Sequence, residues 1–207
     1  MNDQEDVICI ECLCELGQCY NVFEDKANLR KRISIYYPVK NCGAFIFYQK
    51  NTISSKLIHK FKYNDDVVIG KYLMEIFSYE VSKLDWINDI DLIIPLPLHW
   101  KKTWKRGYNQ SEVMSNEIGR IFNIKVETKA IKRIKHNKSQ VKKNAQDRWE
   151  NVKNIFKLCD EKKLEGKHVL IVDDIITTGA SINSCVKEIS KVKDIEISVI
   201  ALGSAEK

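Results

Sequence analysis

The densest chemistry in this chain lies in thirteen consecutive residues, Val169-Leu-Ile-Val-Asp-Asp-Ile-Ile-Thr-Thr-Gly-Ala-Ser181. Four apolar residues deliver two adjacent carboxylates, Asp173 and Asp174, to the C-terminal edge of a buried strand, where open α/β sheets bind ligands. Ile175 and Ile176 lead into Thr177, Thr178, Gly179, Ala180 and Ser181, a tight turn that opens a helix. Successive backbone N–H groups in such a turn, with the helix dipole and three hydroxyls, form a nest for a phosphate dianion. Gly179 lets the backbone turn and approach closely. No Gly-x-x-x-x-Gly-Lys-Ser/Thr occurs, so this is not a Walker A loop. A phosphate nest just beyond paired carboxylates fits a sugar phosphate: the loop holds the 5-phosphate and the carboxylates accept from the ribose 2- and 3-hydroxyls. The bland alternative, a strand that ends in Asp-Asp and a helix capped by Thr-Thr-Gly, accounts for any three of these residues but poorly for all of them together.

The elements that must position this segment read as an α/β domain. Apolar strands are expected at Ala44–Tyr48, Asp91–Ile94, Val169–Val172 and Ile195–Ala201. Between them run amphipathic helices at Ile53–Tyr63, Val67–Leu84, Ser111–Phe122 and about Ala180 to Val192. In the third of these, Val113, Ile118, Ile121 and Phe122 are the candidate core contacts, and Asn109 or Gln110 can cap its start. The alternation predicts parallel β-α-β units. Residues 43–207 are therefore read as the regular domain, and residues 1–42 as a loop-rich, cysteine-bearing appendage with a basic stretch at Arg30–Arg32. Between Lys125 and Asn154 the periodicity fails. The polar stretch Lys135–Arg148 reads either as a mobile functional loop or as an ordinary exposed helix or hairpin.

With 207 residues, 44% of them hydrophobic, the chain can fill the core of one α/β domain and is neither disordered nor fibrous. No apolar run approaches the ~20 residues of a membrane span. The start, Met1 to Asp6, carries three acids and no base, unlike a leader peptide, so a cytoplasmic location and no membrane insertion are expected. The net charge of +6 is uneven: from His99 to Arg148 there are fourteen Lys and Arg against four acids. That imbalance suggests a polyphosphate or nucleic-acid partner, or a solvated Lys-rich face. Trp100 and Trp104 sit among Lys101, Lys102 and Lys105, a mixture that can bind single strands, although tryptophans more often pack. His59, His99, His136 and His168 lack catalytic or metal spacing. Cys9, Cys12, Cys14 and Cys19 can supply a tetrahedral zinc site. Only Cys9 and Cys12 form a Cys-x-x-Cys pair, and a degenerate knuckle without metal is the equal alternative. Cys159 and Cys185 are read as core thiols.

The thirteen-residue segment resembles, at every position, the phosphoribosyl-pyrophosphate (PRPP) motif of type I phosphoribosyltransferases. Other segments resemble one branch, the ComF family of competence-associated phosphoribosyltransferase-like proteins. These are Phe61-Lys62-Tyr63, Pro95-Leu-Pro97, Arg106-Gly107-Tyr108-Asn109-Gln110, and the spaced set Gln140, Arg148, Asn151, Val152 and Phe156. The likeness runs from about Ala44 to Leu202. ComF members commonly begin with two Cys-x-x-Cys knuckles, of which only the first is intact here.

The resemblance implies a type I phosphoribosyltransferase fold and PRPP with Mg²⁺ as ligand. It implies Asp173 and Asp174 at the ribose, residues 177–181 on the 5-phosphate, and Lys105 and Arg106 on the pyrophosphate. The loop containing Lys138, Gln140 and Arg148 would close as a lid. Three functions remain open: phosphoribosyl transfer to an unidentified acceptor, handling of single-stranded DNA with the DNA-uptake machinery, and PRPP sensing without turnover.

Overall fold

The computed structural model describes residues 26–35, 37–49, 51–63, 67–99, 103–104, 107–135 and 155–205. Helix α1 (Lys26–Ile33) leads to strand β1 (Cys42–Tyr48), followed by α2 (Ile53–Tyr63) and α3 (Val67–Val81). A 3-10 turn at Asp85–Asp89 precedes β2 (Leu92–Pro95), and α4 (Gln110–Phe122) leads on to β3 (Lys125–Val126). The short strands β4 (Ile131–Arg133) and β5 (Phe156–Leu158) pair antiparallel. The chain ends with β6 (His168–Ile176), α5 (Ala180–Ile189) and β7 (Glu196–Ala205).

Five strands form one parallel sheet in the order β1-β7-β6-β2-β3. The central strands are apolar on both faces because helices cover both, as a parallel sheet requires. On one face Val169, Ile171, Val199 and Ala201 pack against Leu29 and Ile33 of α1 and Ile182, Cys185, Val186 and Ile189 of α5. On the other, Leu170, Val172, Ile200 and Leu202 meet Leu57 and Ile58 of α2, Leu73, Met74 and Phe77 of α3, and Met114 and Ile118 of α4. Phe45 and Phe77 pack ring to ring at 5.1 Å, a separation at which tilted aromatic pairs attract.

This topology creates a switch point. From β2 the chain crosses through α4, on one face, to β3 on one side. From β6 it crosses through α5, on the other face, to β7 on the other side. The two connections diverge and leave a crevice beyond the carboxyl ends of β2 and β6, the place where open α/β sheets take ligands.

Two sequence expectations change here. Residues 26–33, read as part of a loop-rich appendage, form a helix whose Leu29 and Ile33 belong to the core. In α4 the buried face is Ser111, Met114, Ser115, Ile118 and Gly119. Ile121 is exposed, and Val113 and Phe122 are only partly buried. Gly119 sets that face: an added Cβ would lie 2.7 Å from the Ile124 carbonyl oxygen and 2.8 Å from Val126 Cγ2, so α4 sits close against the chain at β3.

Candidate functional site at the carboxyl ends of β2 and β6

Strict alternation in β6 places Val169 and Ile171 on one face and Leu170 and Val172 on the other, and the phase then reverses. Ile175 packs with the Leu170 side and Ile176 with the Val169 side. The two carboxylates occupy the residues where this reversal happens. Each is anchored by a following backbone N–H: Asp174 N–H donates to Asp173 Oδ1 at 2.8 Å, and Ile175 N–H donates to Asp174 Oδ1 at 2.6 Å. Ser111 Oγ, from the first turn of α4, donates to Asp173 Oδ1 at 3.4 Å. A carboxylate held this way keeps its orientation without leaving the cleft.

The turn after β6 ends at Gly179, which is the N-cap of α5 at φ +75° and gives the helix no side-chain cap. Thr178 Oγ1 accepts from Ala180 N–H at 3.4 Å, and the first-turn N–H groups present the partial positive charge that favours an anion. Residues 177–181 line a small cavity of about 70 Å³ together with Asp173, Ile175, Ile176 and Ile182. Beside it is a second cavity of about 140 Å³, in the switch-point crevice. Its walls include Asp173, Asp174 and Ser181 from the β6–α5 connection, and Pro97, Asn109 and Ser111 from the β2–α4 connection. The two cavities share Asp173, Ile175 and Ser181. Asp173 thus lines both cavities, while Asp174 lines only the second, which the turn reaches through Ser181.

The two described ends of the β2–α4 connection are tied together by their own side chains and backbone. Pro95 closes β2, and Leu96 N–H still donates to the Val172 carbonyl at 2.8 Å. Asn109 caps α4 by accepting from Ser111 N–H at 3.2 Å, while its Nδ2 donates to the Leu96 carbonyl at 3.3 Å. One side chain thus both starts the helix and ties it to the strand end.

Arg133 is the site residue that sequence reasoning missed. It sits at the end of β4, packs over the Phe156 ring at 5.6 Å, and lines the second cavity. Burial pushes its guanidinium below the usual range, and the Asp173 carboxylate opposes that shift. The only signal for it in the sequence was its membership of the basic segment. A third and larger cavity of about 730 Å³ adjoins this region, sharing Pro97, Leu98, Asn109 and Arg133 with the second. Its other walls include Trp104, Glu112, Ile131 and Lys132.

Trp104 is 87% exposed, while Trp86 packs against the core. His99 and His168 are buried, and His168 Nε2 lies 2.8 Å from Ser198 Oγ at the opposite end of the sheet. Cys185 is a core thiol whose pKa burial pushes far up, whereas Cys159 is exposed, contrary to expectation, because β5 has ended before it. Lys101, Lys102, Lys105, Arg106, Lys138, Gln140 and Arg148 lie outside the described residues, as do Cys9, Cys12, Cys14 and Cys19. Among the described residues no group of three or more His, Cys, Asp or Glu could hold a metal by itself.

The phosphoribosyl transferase domain model matches residues 107–205, a span that contains α4, the hairpin, β6, α5 and β7. Competence protein F of Haemophilus influenzae is 34% identical over 155 residues, which are 73% of this chain and 68% of that one. The chain belongs to the ComF family. This ComF-family member has the type I phosphoribosyltransferase fold, a parallel sheet flanked by helices. DNA utilization protein YhgH of Escherichia coli O6:H1 is 31% identical over 131 residues, covering 62% of the ComF-family chain and 57% of its relative. Among solved structures, a purine phosphoribosyltransferase from Pyrococcus horikoshii aligns with a TM-score of 0.40 and 14% identity, over 64% of this chain and 80% of that one. No helix among the described residues is long and apolar enough to cross a membrane.

Proposed function

We propose that this chain binds PRPP in the crevice between β2 and β6 and transfers its phosphoribosyl group to an acceptor, in the service of DNA uptake. One observation carries the reading: Asp173, Asp174 and the Thr177–Ser181 turn line adjoining cavities at the topological switch point. The turn takes the 5-phosphate on its backbone N–H groups. The carboxylates accept from the ribose 2- and 3-hydroxyls, and their anchoring to backbone N–H groups keeps them aimed. Transfer breaks the bond from ribose C1 to pyrophosphate with oxocarbenium character, and an acceptor nucleophile forms the new bond on the opposite face. The protein's work is to hold the ribose, to stabilise the departing diphosphate and to exclude water. Arg133, Lys105 and Arg106 are the cations assigned to the diphosphate side. The large cavity bounded by Trp104, Ile131 and Lys132 is the acceptor's entry.

The hard oxygens of Asp173 and Asp174 suit Mg²⁺, a cation that takes one or two carboxylates and completes its shell with ligand oxygens and water. Mg²⁺ would neutralise diphosphate charge there. Zinc at Cys9, Cys12, Cys14 and Cys19 stays a proposal resting on sequence alone.

A second reading, single-stranded DNA binding, is favoured by exposed Trp104 beside the basic segment and by relatives named for competence and DNA utilization. Turnover separates the two. With PRPP, Mg²⁺ and a panel of nucleobase and nucleotide acceptors, pyrophosphate release is expected, and Asp174→Asn should lower it by about a hundredfold or more, as mispositioned substrates do. DNA affinity that falls steeply with salt and survives Asp174→Asn, with no pyrophosphate released, would favour the second reading.

A further inference from the structure

The Thr177–Ser181 turn is held from outside by Arg32, which lies 145 positions from Thr177 in the chain. Its guanidinium Nη1 donates to the Thr177 carbonyl at 2.8 Å and to the Ala205 carbonyl at 2.7 Å. Its Nη2 donates to Ser204 Oγ. The fork therefore joins the end of β7 to the first residue of the turn. The main chain of the same residue grips the other end. Its carbonyl accepts from Asn183 Nδ2 at 2.6 Å, in the first turn of α5, and Asn183 Nδ2 also reaches the Gly179 carbonyl at 3.0 Å. An added Cβ at Gly179 would stand 2.6 Å from that Arg32 carbonyl oxygen.

We propose that Arg32 is a positioning residue for phosphate binding: it fixes both ends of the turn, so that the N–H groups between Thr177 and Ser181 are set before ligand arrives. The inference rests on the PRPP reading and adds a residue that lies outside the motif. Arg is suited to this position because its planar fork spans acceptors on two strands' ends at once, which a Lys ammonium cannot do from a single point. A turn ordered in advance spends less binding energy on ordering, so losing the clamp weakens only ligands that use the turn.

The test measures binding of ribose 5-phosphate, PRPP with Mg²⁺, and pyrophosphate with Mg²⁺ by calorimetry, in the full chain and in Arg32→Met and Arg32→Lys. Amide hydrogen exchange of residues 178–181 is followed in parallel. Arg32→Met should weaken ribose 5-phosphate and PRPP by roughly tenfold, leave pyrophosphate unchanged, and speed exchange in the turn but not in β6. Arg32→Lys, which keeps the charge and serves if the Met variant does not fold, should show a smaller loss of the same kind. Equal weakening of all three ligands, or unchanged ribose 5-phosphate affinity with unchanged exchange, would overturn the proposal. Failure of the unaltered chain to bind ribose 5-phosphate would instead overturn the PRPP reading, while exchange in the variants would still judge the clamp.

Discussion

At Gly179 two demands meet in one residue. The backbone sits at φ +75°, which costs an L-residue with a Cβ about 1–2 kcal/mol, and the space where a Cβ would go is filled by the Arg32 backbone. Backbone cannot rotate aside as a long side chain can, so Gly179→Ala must shift either the turn or α1. We expect about 2 kcal/mol lost in urea denaturation and weaker ribose 5-phosphate binding. A variant as stable as the parent would show that the turn tolerates a Cβ. The sequence made Gly179 legible through the motif around it. The need for a turn and a close approach was legible too; what was not legible is the partner of that approach, the Arg32 backbone.

Elements with a clear pattern were legible from sequence: α5, β2, α2 and α3 stand close to where their patterns put them, while β6 starts as expected but runs on through both acids to Ile176, four residues past the expected Val172. Where the reading failed, the pattern was short or was decided by neighbours. Among its described side chains, helix α1 has Leu29 and Ile33 as buried apolar anchors, and it becomes core because β1 and α5 face it. Strands β3, β4 and β5 are two or three residues long, below the length at which alternation can be counted. Yet the β4–β5 hairpin carries Arg133 to the cleft, and an ion pair closes its base. Glu127, directly after β3, accepts from Lys163 Nζ at 2.9 Å and from Lys129 N–H at 2.8 Å. Burial would raise the Glu127 pKa, but these two donors outweigh it and hold the carboxyl below its usual value. A depressed carboxylate pKa adds stability above the unfolded value of roughly 4.3, which is lost as pH falls through the folded value. Glu127→Gln should therefore cost about 1 kcal/mol at neutral pH, and its deficit against the parent should close as pH falls from above the unfolded value to below the folded one. A constant deficit across that range would contradict the ion-pair account.

At the scale of the whole molecule, the sheet order converts a linear motif into a site. The sequence implied parallel β-α-β units but carried no information on which strand would neighbour β6. With β2 beside it, Leu96, Pro97, Leu98 and Asn109 share a cavity with the acids. With β7 on the other side, Ser204 and Ala205 come within reach of Arg32. Both contacts join residues far apart in the chain, which is why neither was legible before the fold. The same topology places buried His168 and the Lys40–Glu196 ion pair at the amino ends of the strands, away from the crevice.

Binding of PRPP in the crevice is directly measurable through linkage. A ligand that binds only the folded chain stabilises it by RT ln(1 + [L]/Kd), about 2.7 kcal/mol at a hundredfold excess over Kd. Thermal unfolding of the full chain should therefore move several degrees higher with saturating PRPP and Mg²⁺, and by much less in Asp174→Asn. An unfolding curve that PRPP and Mg²⁺ leave where it was would contradict the account.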